Sequence, residues 1–254
     1  MTTKQRAHGP ASLPPLVLLG PPGSGKSTQT ARLADRTGAR VWRLRDAALD
    51  PAARGSPETV RRRRDPLGWP PMPEDLLRWL LDETLPHDAP LIVENFPGHA
   101  SHVPVLLAAL DAHHPAPVVI ELTAAAAVLL ARISARRTCP RCSHLVTGDP
   151  HSPAAADPAR PGRCARCGGR LRTRIGDAMP IRHWRLVRYR RRMARVRSAL
   201  AARGVPVHSV GAADLSGDVR HRIAAVWEGS GPDGAPGTEL AGTANPEDRP
   251  GLNY

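Results

Sequence analysis

The chain has 254 residues, of which 41% are hydrophobic, and a formal net charge of +13. That length allows one packed domain with an insertion or two, and the longest apolar run, around "AAAAVLLA", is too short to span a bilayer. The N-terminus, "MTTKQRAHGPASLPP", lacks the apolar core of a secretion signal, so a cytoplasmic protein without membrane contact is expected; the charge points to nucleic acid or nucleotide phosphates as partners, or to a composition in which arginine, alanine and proline have risen together.

In chain order, "LVLLG" (Leu16 to Gly20) reads as a short buried strand and Lys26 to Gly38 as a helix stopped by glycine. "ARVWRL" is a second strand. Asp46 to Pro73 is rich in proline and arginine and has no clean period. Glu74 to Leu85 is an amphipathic helix with Glu74 and Asp75 at its positive end. "PLIVENF" is a strand, Val103 to Leu110 a helix, "PVVIEL" a strand and "AAAAVLLARISAR" a helix. A cysteine segment, Cys139 to Cys167, precedes a long arginine-studded helix from about Pro180 to Ala202. "VPVHSV" and "SGDVRHRIAAVW" are the last strand and helix. Strands alternating with helices predict a parallel sheet covered on both faces. The tail from Gly229 to Tyr254, rich in Gly, Pro and acidic residues, is expected to be disordered.

"GPPGSGKS", Gly20 to Ser27, fits the Gly-x-x-x-x-Gly-Lys-Ser phosphate-loop pattern, with a strand before it and a helix after. Gly23 and Gly25 let the backbone curl so that successive N–H groups form an anion nest at the helix N-terminus. Lys26 is one of only two lysines in a chain that writes its positive charge as arginine. A compact ammonium follows a phosphate inside such a nest, whereas the planar guanidinium fork fits it poorly. Ser27 can offer its hydroxyl to Mg²⁺, and Glu94, at the end of "LIVENF", is the carboxylate expected to complete that site through water.

The four cysteines form two Cys-x-x-Cys pairs, Cys139 with Cys142 and Cys164 with Cys167. In a reducing compartment that spacing favours a tetrahedral Zn²⁺ over disulfides. Four thiolates leave no open position, so the metal is expected to be structural.

With the phosphate loop, the strand ending Glu94-Asn95-Phe96-Pro97 and the cysteine-bearing insertion, the chain resembles the adenylate kinase family, in its zinc-lid branch, from about Leu16 to Trp227. The most specific stretch is "ARISARRTC", "CPRC", a gap and "CARCGGRLRTRIGD". The resemblance implies a P-loop kinase fold of class α/β, with a five-stranded parallel sheet, helices on both faces, an NMP-binding insertion and a zinc-bound lid. It places a core at 14–228, the acceptor insertion at 45–75 and the lid at 137–175, between disordered termini at 1–13 and 229–254. It implies that Gly23, Ser24, Gly25, Lys26, Ser27 and Thr28 hold ATP, and that Arg132 lies against its adenine. Arg136 would reach the phosphates from the lid, and Arg174 and Arg185 would clamp the transferred group. ATP, Mg²⁺ and structural Zn²⁺ are the implied cofactors, and the implied protein is a monomer acting on small nucleotides.

The acceptor half departs from the family. Where the family reads Thr-Gly-Asp with an arginine three residues on, this chain reads "LRDAALD": Asp46 is kept, Leu44 replaces the threonine and Leu49 the arginine. Gly98 replaces the phosphate-holding arginine after Phe96-Pro97, and His102 replaces the adenine-reading glutamine. Asp46, Glu94, Phe96 and His102 are the acceptor-site candidates. Arg43, Arg45 and the run Arg61 to Arg64 lie where a compensating phosphate contact could arise, although a basic run is also what a solvated helix face looks like. The expected reaction is phosphoryl transfer from ATP to a nucleoside monophosphate, AMP by resemblance. The alternatives are another acceptor, an ATP-binding regulator, or a zinc ribbon that grips nucleic acid, the last opposed by the scarcity of aromatics for base stacking.

Overall fold

The computed structural model describes residues 13–48, 72–142 and 153–230. The termini, the run Arg61 to Arg64, Leu49 and most of the expected acceptor insertion lie outside the described residues.

The main sheet has five parallel strands in the order β2-β3-β1-β4-β7. These are β1 (Leu16–Leu19), β2 (Arg40–Trp42), β3 (Leu91–Glu94), β4 (Val118–Thr123) and β7 (Val207–Gly211). In register, Leu18 of β1 faces Glu94 on one side and Ile120 on the other. Every residue of β1 and β3 is buried, as a parallel sheet covered on both faces demands.

Strand alternation divides the core in two. Leu16, Leu18, Ile92, Ile120 and Leu122 face one way, against α1 (Lys26–Thr37) through Leu33 and against α7 (Ser216–Gly229) through Val219, Ile223 and Trp227. Val17, Leu19, Val93 and Val119 face the other way. They meet α3 (Glu74–Thr84), α4 (His102–Asp111) and α6 (Ile181–Ala201) through residues such as Leu80, Leu106 and Val196. With eight Trp, Tyr and Phe in 254 residues, aliphatic side chains carry both layers.

The helix ends follow their capping chemistry. α1 stops because Gly38 takes φ 70° and its N–H bonds Ala34 O. Short α2 (Leu44–Ala47) follows β2 directly, and α5 (Ala126–Ala135) follows β4. Between α5 and α6 a small subdomain is built on the antiparallel pair β5 (Ala156–Asp157) and β6 (Arg160–Cys164), closed by a bridge between Thr138 and Arg172. Among the described residues no helix is long and apolar enough to cross a membrane.

Candidate functional site

The phosphate-loop pattern occupies the turn from β1 into α1, at the carboxyl edge of the sheet. Gly23 and Gly25 take φ 86° and 88°, in the region that favours glycine. A Cβ on Gly23 would also lie 2.8 Å from Leu129 O and 3.0 Å from Ile133 Cγ1, so the loop presses directly on α5. Ser24 is buried, and Ser27 and Thr28 stand half-buried in the first turn of α1. The Lys26 ammonium curls back into the loop, donating to Gly20 O and, at 3.0 Å, to Pro21 O.

Burial lowers the Lys26 pKa from its ordinary 10.5 to about 7; Glu94 opposes that shift, and Arg185 and Arg136 reinforce it. The unfolded chain keeps Lys26 near its ordinary value and so binds more protons than the folded one between about pH 7 and 10.5. This group therefore makes the protein more stable as pH rises through that window. Nucleotide phosphates bring negative charge to Lys26 and restore its proton. ATP binding is thus expected to take up close to one proton at pH 8 and far fewer at pH 6 through this residue, measured by calorimetry in buffers of different ionisation enthalpy. Proton-neutral binding at pH 8 would contradict it.

Glu94 ends β3 beside the loop and is 5% exposed. Ser27 Oγ donates to its Oε1 at 2.6 Å, and Arg43 Nε donates to its Oε2 at 2.7 Å. Two hard oxygen donors therefore meet at the loop mouth, a donor set that suits Mg²⁺. Asn95 follows with φ 60°, a backbone state that asparagine tolerates better than most residues, and its N–H bonds Leu18 O at 2.9 Å. Arg43 also reaches Asp46 Oδ2 at 3.3 Å, while Arg45 Nε donates to Asp46 Oδ1 at 3.2 Å.

The arginines predicted for the lid side converge on one buried carboxylate. Arg136, the residue just after α5, grips Asp177 with two hydrogen bonds of 2.8 and 2.6 Å. Arg185, on the first turns of α6, donates to Asp177 Oδ1 at 3.2 Å and to Gly176 O at 2.9 Å. Burial lowers the Arg174 pKa to about 10, helped by the charges of Arg185 and Arg136, opposed by Asp177 and lowered further by Arg45. Arg185 is lowered as well, first by burial. Lys26, Arg136, Arg174 and Arg185 are thus one electrostatic group. Arg132, one helical turn earlier, is anchored by the carbonyls of Ala212 and, at 2.9 Å, Ala213 in the loop after β7.

Sequence reasoning missed Glu121. It is 5% exposed in β4, accepts from Tyr189 Oη at 2.9 Å and from Arg197 Nη1 at 2.8 Å, and is felt by Lys26. These bonds tie α6, and Arg185 with it, to the sheet. The signal was there: a lone carboxylate inside the apolar strand "VVIEL" has to find partners.

On the acceptor side, Phe96 packs edge-on against Trp42 and stacks on His102 at 5.4 Å. His102 is 4% exposed, and its Nε2 accepts the Met72 N–H at 3.2 Å. Burial lowers its pKa to about 4, aided by His99 and Arg192, so the ring is neutral at physiological pH. Leu44 is core, 8% exposed.

The four cysteines are free thiols whose sulfurs lie within 4.8 Å of one another, with Cys139 to Cys167 at 3.5 Å and Cys142 to Cys164 at 3.6 Å. Tetrahedral zinc with Zn–S near 2.3 Å has sulfur edges of about 3.8 Å. A Cβ on Gly169 would stand 3.2 Å from Cys167 Sγ and 3.3 Å from Cys139 Sγ, so that glycine leaves room for the sulfur cluster. The donor set fits a structural metal.

No protein-family model matches the chain. It is similar to the adenylate kinase of Syntrophotalea carbinolica, 28% identical over 206 residues, which cover 80% of this chain and 93% of that protein. The adenylate kinase of Paracoccus denitrificans is 31% identical over 180 residues, 68% of this chain and 79% of its own length. That of Acidothermus cellulolyticus is 30% identical over 197 residues, 75% and 87%.

Proposed function

The chain belongs to the adenylate kinase family and is a nucleotide kinase, and on that premise we propose that it transfers the γ-phosphoryl group of ATP to a nucleoside monophosphate, with AMP the acceptor implied by its relatives. The observation that carries this reading is the convergence of Lys26, Arg136, Arg174 and Arg185 beside a glycine loop at the head of α1. Phosphoryl transfer needs little covalent help from the protein; positioning and charge neutralisation supply the catalysis.

In this reading the acceptor's phosphate oxygen attacks the γ-phosphorus, and the bond to the β–γ bridging oxygen breaks to leave ADP. The loop from Gly23 to Thr28 cradles the donor phosphates, and Lys26 follows the moving group. Arg132, held flat by two backbone carbonyls, faces the adenine. Arg136 and Arg185 exchange their hold on Asp177 for phosphate oxygens as a lid spanning about 137–175 closes over the site. Mg²⁺, held by Ser27 and through water by Glu94, supplies charge neutralisation on the β- and γ-phosphates. The four cysteines would hold Zn²⁺ as a staple for the lid, with no part in the chemistry.

The test is steady-state ADP formation from Mg-ATP with AMP, GMP, CMP and UMP offered singly. Turnover with at least one is the expected result; turnover with none, despite tight ATP binding, would sink the proposal. The same assay applies to Gly98→Arg. Gly98 is exposed, lies outside the positive-φ set, and a Cβ there meets nothing within 4 Å, so a side chain fits. Restoring one charge-assisted phosphate contact, worth about 1.5–3 kcal/mol, is expected to lower the KM for AMP by about 10–100-fold. An unchanged KM would mean that position 98 no longer faces the acceptor's phosphate.

A further inference from the structure

Two arginines flank Leu44 in the stretch that should hold the acceptor, and the structure gives them different tasks. Arg43, its side chain 11% exposed, is committed to Glu94 at 2.7 Å and reaches Asp46 at 3.3 Å. It stitches α2 to the end of β3 and, through Glu94, to Ser27. Arg45 stands where the family's Thr-Gly-Asp has glycine, so this chain adds a cation at a position that ordinarily has no side chain. Its side chain is 21% exposed, and its Nε is held by Asp46 Oδ1 at 3.2 Å. Its charge reaches Arg174, a member of the group expected to clamp the transferred phosphoryl. Asp46 thus presents one oxygen to each arginine, anchoring Arg43 towards the metal carboxylate and Arg45 towards the phosphate group.

The local charge balance sets the class of acceptor. Lys26, Arg43, Arg45, Arg136, Arg174 and Arg185 are six cations facing three carboxylates, Asp46, Glu94 and Asp177. Glu121, the other acid near Lys26, is matched by Arg197. An excess of positive charge in a partly buried site favours a polyanionic ligand set over a neutral one. Magnesium-bound ATP offsets part of it, and an acceptor that carries its own phosphate offsets the rest; a neutral hydroxylated metabolite does not.

We infer that Arg45, aimed by Asp46, is the cation that holds the acceptor's phosphate in this chain, replacing the arginines that the family carries at the positions of Leu49 and Gly98. The inference rests on the kinase reading for the identity of the acceptor as a nucleoside monophosphate, but it concerns binding and can be tested without turnover.

The experiment is calorimetric binding of AMP, GMP, CMP and UMP to the full chain, with a non-hydrolysable ATP analogue present. Wild type is compared with Arg45→Ala, Arg45→Gln and Arg45→Lys, and the unphosphorylated nucleosides serve as controls. Arg45→Ala and Arg45→Gln are expected to weaken monophosphate binding by about 10–100-fold and to leave nucleoside binding unchanged, with Arg45→Lys recovering part of the loss. Equal monophosphate affinity in wild type and Arg45→Ala overturns the inference. So does an equal loss for nucleoside and nucleotide, which marks a structural role, and so does a wild type that binds no monophosphate. Arg45-dependent binding without ADP formation in the turnover assay would defeat phosphoryl transfer and leave this inference standing.

Discussion

Replacing Lys26 with alanine is expected to lower kcat by about 10²–10³-fold, because a preorganised cation beside a developing phosphate charge is worth that much in a site shielded from water. The effect belongs to the transition state, so ATP affinity should fall much less than turnover. Lys26→Arg is expected to recover little. The lysine is 9% exposed, and its ammonium already sits against the carbonyls of Gly20 and Pro21, which leaves no room for the broader guanidinium. Folding should survive both changes, since the free protein bears the cost of burying this cation, as the lowered pKa shows. Single-turnover kinetics with circular dichroism as the folding control would decide the matter. A folded Lys26→Ala protein within tenfold of wild-type turnover would remove the phosphate loop from the mechanism.

Cys142→Ser is expected to abolish tight metal binding and to unfold the lid while the sheet persists. The lid's own core is Cys139, Cys142, Cys164 and Leu171, with Ala154 and Cys167 packed beside it. A single leucine and an alanine cannot stabilise a fold of that size, so the energy must come from the metal, whose binding in small zinc modules is about 10–16 kcal/mol of folding free energy. Wild type should contain about one zinc per chain and the variant almost none. Limited proteolysis should cut the variant between Arg137 and Arg174, and turnover should fall at least about tenfold, because Arg136 and Arg174 bracket the same segment. A wild-type protein purified without metal, yet resistant in that segment, would rule out the staple.

The local features of this protein were determined by its sequence alone. The phosphate loop, the helix stop at Gly38, the alternation that sends Leu16 and Leu18 one way and Val17 and Leu19 the other, and the paired cysteine knuckles all depend on neighbours a few residues apart. Backbone preference and strand or helix period act at that range, so the order of elements and the family resemblance could be read directly. The tertiary structure alone decided how distant charges pair. Arg43 and Glu94 are 51 residues apart, Arg136 and Asp177 41, and Tyr189 and Glu121 68. In a chain this rich in arginine, no local pattern distinguishes the guanidinium committed to Glu94 from the one aimed at the phosphate group. Partner choice among like charges is settled by which carboxylates the folded sheet buries beside them, because a carboxylate withdrawn from water must be paired while an exposed one need not be.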